Sequence, residues 1–238
     1  MVCSELNNIS KKNKSKVFFH ELAHHLPYGT LSVACALMLL SLISVFLKPE
    51  IVSEVAHSHS HTGGCSHNSD LDILFHSFHF THILFAVSGS MMTFYRYSKN
   101  VIAGVIVGVI SSSVFCTLSD VLLPYLAGIM FGVSMDLHIC FFSELPNILP
   151  FLFVGALNGL VMLYIKEFQS ERYSLQLHFL HTLISAMASI FYAIGHGFSD
   201  FYAYFGIFFL LILVAVVIPC TLADVVVPII CARMVDKK

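Results

Sequence analysis

A chain of 238 residues that is 57% hydrophobic and only 11% charged, with no alternating stretch long enough to suggest a sheet, reads as an all-α polytopic membrane protein. A formal net charge of −2 without a dense basic face excludes nucleic acid as a partner. The seven cysteines, at positions 3, 35, 65, 116, 140, 220 and 231, show no paired framework, which excludes a disulfide scaffold.

Residues 1–29 are polar and mixed and predict a cytoplasmic segment. They contain H-E-L-A-H-H at 20–25. On a helix, His20 and His24 stand one turn apart and can share a metal, with Glu21 as base for a bound water, so the stretch raises an intramembrane zinc metalloprotease. Lys11, Lys12, Lys14 and Lys16 place it near the membrane surface instead of inside a span. Asp120 and Asp224 are available as a third ligand, but neither stands in a Leu-Asp-Gly context.

Apolar stretches at about 30–47, 71–95, 101–134, 147–165, 174–195 and 201–232 predict six spans. The first continues past the length of a signal-peptide core, so it is expected to be retained. Residues 49–70 form a long loop between spans 1 and 2, and residues 233–238 a tail. In that loop His57, His59, His61, Cys65 and His67 alternate with small residues, a pattern that can close around a metal without a preformed fold. A disordered polar connector that tolerates histidine is the other reading. His138 and Cys140 in the loop after span 3, and His24 and His25 at the mouth of span 1, are further candidate vestibule ligands.

Basic residues mark the sides. The four lysines before span 1, Arg96 and Lys99, Lys166 and Arg172, and Arg233, Lys237 and Lys238 all fall on one side of a six-span chain. Only Lys48 falls on the other, with Glu50, Glu54, Asp70, Asp136 and Glu144. Positive charge is retained inside, so both ends of the chain are expected in the cytoplasm.

The spans repeat. H-F-T-H-I-L at 79–84 matches H-F-L-H-T-L at 178–183, C-T-L-S-D-V-L-L-P at 116–124 matches C-T-L-A-D-V-V-V-P at 220–228, and L-P-Y at 26–28 more weakly matches L-P-F at 149–151. The two halves, 30–134 and 147–232, hold three spans each. An odd number makes the second copy enter from the opposite side, the inverted repeat on which many secondary transporters are built.

Asp120 and Asp224 sit deep in apolar segments at equivalent places. An unpaired carboxylate in hydrocarbon costs several kcal/mol, so each must face a partner, an ion or a water-filled path. Pro124 and Pro228 follow four residues later. Proline removes a backbone donor and disturbs the preceding turn, which predicts discontinuous helices 3 and 6, with freed backbone beside Cys116, Thr117, Cys220 and Thr221; a simple kink is the alternative. His79 with His82, and His178 with His181, are spaced to share a helix face, and His76 extends the first stripe. Together these residues form a mixed N, O and S set that suits a divalent transition metal better than calcium. A structural Asp pair capping broken helices and interhelical histidine hydrogen bonds are the competing readings.

The segments holding His79, His82, Cys116 to Pro124, His178, His181 and Cys220 to Pro228 resemble those of heavy-metal (manganese) exporters, polytopic bacterial membrane proteins with duplicated halves. The resemblance implies metal transport in a bacterial-type inner membrane. The expected function is therefore a proton-coupled transporter of a divalent transition metal, with the metal as substrate and no tightly bound cofactor. The metalloprotease and a proton-coupled transporter of an organic solute are the alternatives. No P-loop is present. The chain is expected to contact the lipid bilayer, and to work alone, as a homodimer or as the membrane subunit of a larger transporter.

Overall fold

The computed structural model describes residues 14–46, 69–133, 135, 137, 144–165, 171–198 and 205–236. Among them are six long helices and no strand: α1 (Lys14–Phe46), α2 (Ser69–Tyr97), α3 (Val101–Met130), α4 (Leu145–Tyr164), α5 (Glu171–Gly195) and α6 (Phe205–Val235). All six carry a stretch long and apolar enough to cross a membrane, where a helix satisfies its own backbone groups without water. The chain is an integral, all-α polytopic membrane protein.

Local signals set several boundaries. The Asn100 side chain accepts from the Ala103 N–H at 3.1 Å and caps the start of α3. Gly132, at φ 73°, turns the chain out of its end while the Val133 N–H returns to the Gly128 carbonyl at 3.0 Å. The start of α1 differs from expectation. Its helix begins at Lys14, ahead of the predicted first span, so the segment read as a polar lead includes helix that carries H-E-L-A-H-H; the apolar part of α1 is His25–Ile43.

Helices α2 and α5 pack against each other at the centre, α4 lies against α2, and α1 lies against α5. The first helix of each half thus covers the second helix of the other. Small residues permit the close approach. A Cβ at Gly155 of α4 would stand 2.8 Å from the Leu84 carbonyl oxygen of α2, and one at Gly159 would stand 2.8 Å from Met91 Sδ. Each interface also carries a serine facing a carbonyl across it: Ser88 Oγ lies 2.9 Å from Gly155 O, and Ser32 Oγ lies 3.0 Å from Phe179 O. The outward faces are apolar, as in the stripe of exposed Ile102, Ile106, Ile110 and Val114 on α3 and the stripe of Leu149, Phe153, Leu157 and Val161 on α4. Such stripes suit hydrocarbon.

The predicted interruptions of helices 3 and 6 take the form of π-helical turns, Leu118–Leu122 in α3 and Leu222–Val226 in α6, inside helices that otherwise continue. The Leu123 N–H bonds back to Leu118 O, and the Val227 N–H to Leu222 O. The next carbonyls along, Ser119 and Ala223, would need the N–H of Pro124 and Pro228, which proline lacks. Serines from neighbouring helices face them instead: Ser189 Oγ lies 3.1 Å from Ser119 O, and Ser111 Oγ donates to Ala223 O at 3.1 Å. The wider turn carries Asp120 and Asp224 into the interior, both buried.

Candidate metal centre

Asp120 is enclosed on both oxygens. His79 Nδ1 and His82 Nδ1 donate to its Oδ2 at 2.8 and 2.6 Å, while the hydroxyls of Ser119 and Ser185 reach its Oδ1 at 2.7 and 2.8 Å. The histidines come from α2, the neighbouring helix of the same half, and Ser185 from α5 of the other half. In the second half, His181 Nδ1 donates to Asp224 Oδ2, and His178 Nδ1 lies 3.4 Å from the same atom. All six of these His and Asp side chains are buried.

A carboxylate only accepts, so Nδ1 of each inner histidine, His82 and His181, carries the hydrogen and Nε2 of the neutral ring carries the lone pair. His82 Nε2 and His181 Nε2 face each other at 2.5 Å. Cys116 Sγ and Cys220 Sγ each lie 3.6 Å from His82 Nε2. Two lone pairs at that separation repel unless a proton is shared between them, and the rings must part by about 1 Å to ligate one cation together. The ligand atoms of His82, His181 and Cys220 lie within 4.8 Å of one another, as do those of His79, His82 and Asp120, and of His178, His181 and Asp224. A carboxylate holding the far nitrogen of each imidazole is the usual support of a histidine metal ligand: it fixes the tautomer and raises ligand basicity.

The outer histidines complete a line. His79 and His178 each precede an inner histidine by one turn, and two crossings, α3 and α4, separate α2 from α5, so the two helices run in opposite directions and the outer rings lie on opposite sides of the centre. Nε2 of each is buried without a hydrogen-bond partner among the described residues. His79 stacks on Phe75 at 5.4 Å between ring centroids, and His178 meets the edge of His25 at 4.5 Å.

Of the residues expected to act together, the structure assembles Asp120, Asp224, His79, His82, His178, His181, Cys116 and Cys220. It leaves Thr117 out: its hydroxyl donates to the Ser113 carbonyl of its own helix at 2.9 Å. Thr221 is buried, with its hydroxyl unpaired among the described residues. His76 is half-buried, and its Nδ1 donates to the Asp72 carbonyl at 2.8 Å. His57, His59, His61, Cys65, His67, His138 and Cys140 lie outside the described residues, as do the side chains of His20, Glu21 and His24. Sequence reasoning missed Ser119 and Ser185. The repeat could have found them, because their counterparts in the other half are Ala223 and Ala86.

Six apolar helices around buried His, Asp and Cys groups fit a membrane protein that binds metal. No protein-family model matches the chain, and no curated protein or solved structure matches it.

Proposed function

We propose that this chain transports a divalent transition-metal cation by alternating access, coupled to protons, across a bacterial-type inner membrane with both ends of the chain in the cytoplasm. The observation that carries the reading is the meeting of His82 and His181, Nε2 to Nε2, with Cys116 and Cys220 alongside and an aspartate behind each ring. One imidazole and one thiol come from each half. A site shared in this way is taken apart when one half rocks against the other, so cation binding and conformational change are linked. On this reading the chain is a transporter, with its centre built from His82, His181, Cys116 and Cys220. Metal binding to imidazole and thiol displaces protons, which supports proton coupling. The thiols favour zinc, cobalt, nickel or iron over the manganese that the resemblance implies. The histidine-rich loop at 57–67 would gather the same metal outside.

The test is the cellular content of Mn, Fe, Co, Ni, Cu and Zn by elemental mass spectrometry. Cells express wild type, His181→Gln or Glu21→Gln at matched levels. One metal changed by wild type and Glu21→Gln, but not by His181→Gln, is the expected result, and its sign gives the direction. Equal metal content in all three overturns metal transport in favour of an organic solute. Loss of the effect in Glu21→Gln alone moves the chemistry to the H-E-L-A-H stretch.

A further inference from the structure

The two aspartates occupy matched positions but differently furnished surroundings. Both oxygens of Asp120 are hydrogen-bonded, Oδ1 through Ser119 and Ser185. Asp224 has only its Oδ2 engaged; its Oδ1 is buried with no hydrogen-bond partner among the described residues. The difference is written in the repeat, where both serines are replaced by alanine, at 223 and 86. A buried carboxylate oxygen without a partner is costly, and here a second buried acceptor, His178 Nε2, is also unpaired. Asp224 and His178 line one small cavity together with His25, Gly89 and Thr93. Its volume, about 10 Å³, is the size of a single water or ion. Glycine keeps it open: a Cβ at Gly89 would come within 3.2 Å of Asp224 Oδ2.

We infer that Asp224 and His178 form a second cation subsite, an oxygen-and-nitrogen station walled by His25 beside the sulfur-containing centre, on the side of the membrane where α1 and α5 begin. This rests on the proposed transport function, because the subsite takes the same divalent transition metal on its way to or from the centre. His181, whose Nδ1 is held by Asp224 and whose Nε2 faces the centre, joins the two stations. Near Asp120 the matching carboxylate oxygen is already bonded to serine hydroxyls, so among the described residues the open carboxylate oxygen lies beside Asp224 and not beside Asp120. On the basic-residue topology the Asp224 side is cytoplasmic.

Co²⁺ titration of the purified full-length chain in lipid nanodiscs separates the two stations, because thiolate ligation gives an intense near-ultraviolet charge-transfer band and ligation by oxygen and nitrogen alone does not. The reference chain carries His57→Ala, His59→Ala, His61→Ala, His67→Ala and Cys65→Ser, so that the histidine-rich loop contributes neither equivalents nor a band. The variants made in it are His178→Ala, which removes a ligand, and Ala223→Ser, which restores the hydroxyl that the first half supplies. The reference is expected to take up two equivalents, only one with the charge-transfer band. Each variant should keep that band, which also reports an intact fold, while the second equivalent weakens by about tenfold or more. A single equivalent in the reference, unaltered by either substitution, overturns the subsite and leaves the centre standing. Uptake without the band, lost in His178→Ala, supports the subsite and removes the sulfur-containing centre. Absence of any uptake overturns both.

Discussion

His82 and His181 stand at equivalent positions of two matched sequence segments and meet through their Nε2 atoms across 2.5 Å, each held from behind by the aspartate of its own half. Neither half contains the pair. A ligand placed between them therefore belongs to the interface of the halves, and removing either ring should be as damaging as removing both.

That equivalence gives the first prediction. His82→Ala and His181→Ala should each abolish the thiolate–Co²⁺ band and metal flux, and the double variant should be no worse, since residues acting as one unit are strongly non-additive. Flux in proteoliposomes measures it. Independent, additive losses would mean that the two rings serve separate sites.

The second concerns the thermal effect of metal. A cation bound only by the folded state stabilises by mass action, about 2.7 kcal/mol at one hundred times its dissociation constant. Adding Zn²⁺ to metal-stripped protein should raise Tm clearly more in wild type than in His181→Ala, followed by intrinsic fluorescence of its tyrosines. An equal rise in both would place the binding elsewhere.

Third, the two aspartates should differ in structural importance. Asp120→Asn disturbs contacts from two histidines and two serines, whereas Asp224→Asn disturbs contacts from two histidines only. Losing a hydrogen bond to a buried charged group costs about 1.5 to 3 kcal/mol, and Asp120→Asn, which disturbs more of them, should show a larger fall in Tm than Asp224→Asn. The reverse order would contradict the asymmetry on which the second subsite rests.

The spans were legible because hydrocarbon demands long apolar helices, and the cluster was legible because the repeat keeps His79, His82, Asp120 and Cys116 beside their counterparts. Three features needed tertiary information. Lysine-rich residues ahead of span 1 read as a polar lead, yet α1 begins at Lys14. Proline after each aspartate reads as a helix break, but Ser189 and Ser111 reach the carbonyls that proline strands, so a π turn suffices. Thr117, next to Cys116 in the matched string, faces the Ser113 carbonyl of its own helix and not the centre. Matching strings located the shared centre. The mismatches, Ser119 against Ala223 and Ser185 against Ala86, carried the information about where the halves differ.

The fourth prediction tests the packing that holds the halves together. Gly155 lets α4 lie against the Leu84 backbone of α2, and a methyl there would meet a carbonyl oxygen at 2.8 Å, an atom that cannot rotate aside. Gly155→Ala should therefore destabilise by about 1 to 3 kcal/mol, read as a lower Tm in detergent. Leu157→Ala, two residues on and half exposed to the lipid-facing side at 51%, removes more atoms yet should change Tm little, because its side chain leaves one apolar surrounding for another. If Leu157→Ala proves the more damaging, the face assigned to lipid is instead buried against a partner, and the chain works as an oligomer through α4.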